Sequence, residues 1–333
     1  MGLTRQLVLL FAAVASFGAD ARAQELQAEH RVALNEAFRL IDHVEGRWPG
    51  WDSAPEAVLI VDGEAEFLIG HPRPTEDFAA AGPPISGRAV FVRDRQSPQG
   101  LLATYPAVGG IPTIVVGTPE STGLGPTQWI LTVVHEHFHQ LQMSRPNYYN
   151  EVEALELSGA DDDGMWMLNY PFPYSDVGTG ALVGRLGEAA RALATGVRLE
   201  RGAEVSVDGF LAAREDLAGS LAVKDHRYLA FQLWQEGVAR YAELDAAEYA
   251  AGSFPLSAAF AALPGAISLE EAASDLWSAI NSGVDADLAE VGRVYFYSLG
   301  ALEAVLLEAA RPGWRPRYTQ HLFDTRPLWG SAR

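Results

Sequence analysis

The hydrophobic period of the chain switches from strand-like to helical near Thr127, and that switch restricts the folds open to it. After an amphipathic helix expected over 24–45 and stopped by Trp48-Pro49-Gly50, short apolar runs alternate with turn signals. Ala57-Val58-Leu59-Ile60-Val61 and Glu66-Phe67-Leu68-Ile69 flank Asp62-Gly63, a hairpin signal. Further strands are expected at Arg88 to Val92, Leu101 to Tyr105 and Thr113 to Val116, the last two parted by Gly109-Gly110, with a turn-rich loop from Gly117 to Gly125. Beyond Thr127 apolar residues recur at helical spacing, predicting helices at 129–143, 147–158, 181–196, 208–218, 225–248, 269–280 and 285–311. Strands followed by helices, without βαβ alternation, predict an α+β fold. The N-terminal lobe is then β-rich, with an antiparallel or mixed sheet, and the C-terminal lobe is α-helical. Residues 24–333 read as a single domain, 24–126 forming its helix-plus-β part and 127–333 its mainly helical part.

The first 23 residues stand apart. Arg5 precedes an apolar run from Leu7 to Gly18, and Ala21-Arg22-Ala23 is a small-x-small cleavage site. This predicts a signal peptide cleaved near Ala23-Gln24 and an exported protein, periplasmic or secreted. No later stretch reaches 18 apolar residues, so no stable membrane association is expected. The formal charge of −19 argues against nucleic acid as a partner, because phosphate neutralisation needs clustered Lys and Arg. The 333 residues include no cysteine, so any metal site must draw on His, Asp, Glu and water. Asp161-Asp162-Asp163-Gly164 lacks the spacing of a calcium loop and reads as a solvated turn.

His135-Glu136-His137-Phe138-His139 contains H-E-x-x-H. Residues four apart share one helix face, so His135 and His139 can hold one zinc ion together. Glu136 projects beside that face, where it can take a proton from bound water. The apolar run from Trp129 to Val134 leads into the motif and predicts a buried helix. His137 points away and reads as a packed or hydrogen-bonded core residue.

A catalytic zinc keeps three protein ligands and an open position. The position six residues after His139 is Arg145, so a third histidine there is absent. Glu236 is the favoured third ligand. It is followed by Gly237 and Ala239, which allow close passage of a second helix, and a mid-helix glycine usually has a packing reason. Glu156 is the second choice, because it is nearer in sequence; Glu151 and Glu153 read as a solvated face.

With these residues the chain resembles the gluzincin branch of zinc metallopeptidases. Glu236-Gly237-Val238-Ala239-Arg240-Tyr241 is similar to the E-G-x-A-x-Y segments of several such families, and Tyr297 to Gly300 and Pro312-Gly313-Trp314 resemble the C-terminal helix of secreted zincins. Arg240 stands where thermolysin-like enzymes carry an Asp four residues after the metal glutamate, which leaves the partner of His135 unassigned. The resemblance implies a zincin-like fold with an active-site helix, bound Zn²⁺, Glu136 as general base and a peptide or protein substrate. The developing oxyanion needs a further donor. Tyr297 is the first candidate, with Tyr241, Tyr295 and Arg293 as alternatives. A zinc hydrolase acting on a non-peptide amide or ester would use the same ligands. A non-catalytic exported protein with a structural zinc site would have no need of Glu136.

Overall fold

The computed structural model describes residues 25–159, 161, 164–200 and 206–330. The expected leader at 1–23 lies outside the described residues, as do Asp162 and Asp163 of the acidic turn. Among the described residues six strands, β1 (Val58–Asp62), β2 (Ala65–Ile69), β3 (Ala79–Ala80), β4 (Val90–Asp94), β5 (Leu102–Val108) and β6 (Ile111–Gly117), form one open sheet. Its order is β3-β4-β2-β1-β6-β5. β1 lies parallel to β6 and all other pairings are antiparallel, so the sheet is mixed. Gly109 and Gly110, with φ of 56° and 73°, make the turn between β5 and β6, a backbone region that glycine enters without penalty.

Side chains alternate across the sheet with period two. Val58, Ile60, Phe67, Ile69, Ile114 and Val116 join the main core, whereas Leu59, Val61, Leu68 and Val115 form a smaller cluster with Phe78 and Val108 on the other face. The main core is completed by helices α1 (Ala28–His43), α2 (Pro126–Met143), α3 (Val177–Leu199), α4 (Asp208–Ser220), α5 (Val223–Gln232), α6 (Val238–Ala251), α7 (Leu269–Gly283) and α8 (Tyr295–Ala310). The architecture is α+β, with a mixed N-terminal sheet and a mostly helical C-terminal part. No helix among the described residues is long and apolar enough to cross a membrane.

Several boundaries differ from expectation. The helix expected at 225–248 is two helices joined by a π turn, Leu233–Gly237. The helix expected at 285–311 is a turn, Leu288–Val291, a 3-10 segment, Gly292–Val294, and α8; Gly292 interrupts it with φ 55° and ψ −134°, a conformation open essentially to glycine alone. The helix expected at 147–158 stops at Ala154, and Glu156 turns the chain with φ 56°. The loop from Gly117 to Gly125 contains one helical turn, Pro119–Thr122, capped by Thr118.

Two contacts set the position of α2. His30, buried on α1, holds Asp62 Oδ2 at 2.8 Å with Nδ1 and Glu120 Oε2 at 3.0 Å with Nε2, tying α1 to the end of β1 and to the turn before α2. At the other end Gln140 donates to the carbonyls of Ala57 and Pro112, both at 2.9 Å. A third contact joins the C-terminal helices. α8 crosses the π turn with Gly300 against Gly237, and a Cβ on Gly300 would come within 2.6 Å of Gly237 Cα and 2.8 Å of the Leu233 carbonyl. The close passage expected at Gly237 is thus made by α8 and not by the motif helix.

Gly300→Ala should lower the unfolding free energy by about 2 kcal/mol, because both obstructing atoms are backbone; urea denaturation reads this, and an unchanged midpoint would show that the helices can part freely. His30 gives a pH signature. Burial alone would lower its pKa from 6.5, but Asp62 and Glu120 raise it, and both carboxylates are held below their usual range. The stability His30 contributes is therefore full below pH 6.5 and lost as pH rises through its raised value. His30→Gln should be about 2 kcal/mol less stable than wild type at pH 6, with the gap closing at alkaline pH.

Candidate metal centre

The α2 helix starts because Gly125 and Pro126 occupy its N-cap and first position, and it ends before Arg145-Pro146. Its first turn is pinned by Thr127 Oγ1 donating to the Ile267 carbonyl at 2.8 Å and by Trp129 Nε1 donating to the Gly117 carbonyl at 2.8 Å. Every residue from Val133 to Gln142 is buried, so the histidines are presented inside the protein. His135, Glu136 and His139 each place one ligand atom within 4.8 Å of the others, a buried group that could hold a metal ion.

The imidazoles face each other, Nε2 to Nε2, at 3.1 Å. Glu236 Oε2, on the π turn, is 3.3 Å from His139 Nε2 and 3.8 Å from His135 Nε2. A triangle with these edges has a centre about 2.0 Å from all three atoms, the length of a bond from zinc to nitrogen or oxygen. The outer ring nitrogens decide which atoms carry protons. His139 Nδ1 is 2.6 Å from Gln142 Oε1. The Gln142 amide nitrogen is committed to oxygens, the carbonyls of Trp234 at 3.2 Å and Gln235 at 2.9 Å and Tyr318 Oη at 2.7 Å. With Nδ1 donating to Gln142 Oε1, His139 Nε2 is a bare lone pair; the Gln235 amide nitrogen, a donor 3.1 Å from the same Nδ1, competes for that nitrogen and favours the other tautomer. His135 Nδ1 lies 3.3 Å from Glu243 Oε2, within ion-pair reach though off the line of a hydrogen bond. Arg240 Nη1 in turn holds that Glu243 oxygen at 2.7 Å. Two ring nitrogens and a carboxylate oxygen converge on one point in a buried place, an arrangement that a cation satisfies.

Electrostatics agree. Burial works to lower the pKa of His135, yet Glu236 and Glu243 push it up to about 9. Burial works to raise that of Glu236, yet the charges of His139 and His135 hold it well below the usual carboxylate range. The pocket is thus built to keep negative charge opposite positive charge.

Glu136 sits beside the triangle with Oε2 accepting from Thr104 Oγ1 of β5 at 2.8 Å; the same hydroxyl lies 3.0 Å from the Glu136 carbonyl. Tyr297, in the first turn of α8, stacks parallel to His135 with ring centroids 6.3 Å apart, while its hydroxyl accepts from Arg293 Nη1 at 2.6 Å. Burial, then the charge of Glu236, raises the Tyr297 pKa, so it keeps its proton. All these groups line a cleft of about 820 Å³ between β5 and the helices, walled by apolar residues such as Leu131, Met143, Leu168 and Leu276.

The structure brings together His135, Glu136, His139, Glu236, Tyr297 and Arg293. It leaves Glu156 outside: that side chain is 72% exposed and paired with Arg227, and Glu151 and Glu153 are exposed as well. Tyr241 receives a hydrogen bond from Arg315 at 2.9 Å and Tyr295 donates to the Val284 carbonyl, so neither hydroxyl belongs to the cleft. His137 packs on Trp51 and bonds Gln140. The segment 165–174, rich in aromatics and proline, divides. Met165, Met167 and Leu168 line the cleft, whereas Tyr170 and Phe172 pack on Tyr228. Glu243, Gln142 and Thr104 were not anticipated. Glu243 stands two helical turns after Glu236, and Gln142 one turn after His139, so spacing alone placed both within reach.

Comparison with family models, curated proteins and solved structures finds no match to this chain. Gln142→Ala and Glu243→Ala should each weaken binding of a divalent transition metal by about 10–100-fold in chelator competition, with helical content retained; metal affinity equal to wild type in both would show that the outer nitrogens do not orient the imidazoles.

Proposed function

We propose that this chain is an exported zinc-dependent metallopeptidase of gluzincin type. The observation that carries the reading is the convergence of His135 Nε2, His139 Nε2 and Glu236 Oε2 on one point at the floor of an open cleft, with Glu136 beside them. The donor set is two nitrogens and one carboxylate oxygen, which suits zinc. Three ligands facing an open cleft also favour catalysis over a structural role, since structural zinc is closed by four protein ligands. The leader-like first 23 residues support export.

When bound there, zinc supplies Lewis acidity and lowers the pKa of water. Glu136 does the proton work. Thr104 fixes one of its carboxylate oxygens, and the group can take a proton from the attacking water and return it to the leaving nitrogen. Tyr297 has its lone pair occupied by Arg293, so its own proton is free to be donated to the oxygen that gains charge as the carbonyl is attacked. The apolar walls exclude water and hold substrate side chains. An amide or ester that is not a peptide would meet the same machinery, and a substrate profile over peptides, amides and esters separates the two.

Metal analysis of the purified protein should return one zinc per chain. Glu136→Gln should keep that zinc and lose turnover by about 100-fold or more, whereas His139→Ala should lose the metal itself. Absence of stoichiometric zinc, or full hydrolysis by Glu136→Gln, would overturn the proposal.

A further inference from the structure

Four carboxylates line the cleft, Glu136, Glu236, Glu243 and Asp275, against two arginines. Arg240 is committed, with Nη1 2.7 Å from Glu243 Oε2. Arg293 is not. Its guanidinium donates to the neutral hydroxyl of Tyr297 and forms no ion pair among the described residues; Glu236 acts on it only through space. A half-buried guanidinium offers five donors in a planar fork, and a neutral phenol occupies one of them. Its place is fixed by the backbone, since Gly292, at φ 55°, turns the chain from the Leu288–Val291 helix into the segment that carries Arg293.

Building on the peptidase reading, we propose that Arg293 receives the free α-carboxylate of the substrate. The site then takes peptides or N-acyl amino acids whose C-terminal carboxylate follows the scissile bond by one residue. Arg293 Nη1 donates to the Tyr297 hydroxyl, the Tyr297 ring stacks parallel to His135, and all three line the cleft with Glu236, so the guanidinium stands one side chain away from the motif histidines. In the substrate, the carboxylate is separated from the scissile carbon by the amide nitrogen and one Cα only. Elsewhere the cleft is lined by carboxylates, which repel an anion, so the substrate's charge can be accepted at one place and its register along the cleft is set by Arg293. The side chain of the departing residue is left to the apolar wall, which selects for Leu-like or aromatic residues.

The test compares one peptide in two forms, with a free C-terminus and as its C-terminal amide. Wild type should prefer the acid by about 30-fold or more in kcat/KM, mostly through KM. Arg293→Met should bring that ratio close to one, and Arg293→Lys should restore part of it. Loss of the Tyr297 contact lowers turnover of both forms alike and leaves the ratio untouched. A wild type that cleaves acid and amide equally, or an Arg293→Met variant that loses kcat for both while keeping the preference, would overturn the proposal and leave Arg293 as a support for Tyr297. Calorimetry adds a readout independent of turnover. N-acetylleucine, but not N-acetylleucinamide, should bind zinc-loaded Glu136→Gln protein, and Arg293→Met introduced into that background should abolish the binding. If that selectivity is found but no peptide is hydrolysed by wild type, the carboxylate site stands and the peptidase reading falls; equal binding of the two compounds refutes the carboxylate site whatever the activity.

Discussion

Where Gly237 and Gly300 cross, backbone packs on backbone with no side chain between. The rest of the cleft depends on this approach. Glu236 precedes the first glycine by one residue and Tyr297 precedes the second by one helical turn, so the crossing delivers both to the histidines of α2. A side chain at either glycine would drive the helices apart, because the atoms it meets belong to the main chain and have no rotamer to escape into. Close approach costs some helix propensity at both positions. It is offset by the apolar surface buried along α8, where Phe296, Leu299, Leu302 and Leu306 are fully enclosed.

Charge makes the second constraint. A buried carboxylate and a buried imidazole are each expensive to place in an apolar interior unless something answers them. Glu236, Glu243, Arg240 and the two histidines answer one another in sequence, and Gln142 closes the far side with a neutral amide. The two histidines are therefore held differently. His135 backs onto a carboxylate and His139 onto an amide.

Much of this was legible in the residues. The change of period near Thr127 marked the passage from sheet to helices, and the four-residue spacing of His135 and His139 put them on one face of a helix that the structure confirms as buried. Gly237 signalled a close approach, though not its partner, because helix pairing is decided by the packing of whole faces. Glu156 drew attention by its nearness in sequence, and nearness failed because the chain reverses at that residue and turns the side chain outward. Glu243 was legible as a position but not as a partner. Its role follows from where α6 lies against α2, which no local pattern encodes. Gln142 belongs to no motif, and the contacts of its amide with the carbonyls of Trp234 and Gln235 and with Tyr318 exist only once α2, the π turn and Tyr318 have met.

The π turn at Leu233–Gly237 has a consequence for how such a chain can change. A turn of this kind holds one residue more than the α-helix around it, and it leaves carbonyls free, two of which Gln142 takes up. Deleting a single residue here would let the helix run on smoothly and gain regularity, yet it would rotate everything on one side by about 100° relative to the other. Glu236 and Glu243 would then no longer address the same pair of histidines from one wall. Point substitutions can explore this cleft gradually, but a change of length within these five residues cannot: the extra residue behaves as a phase setting of the helix, kept or lost whole.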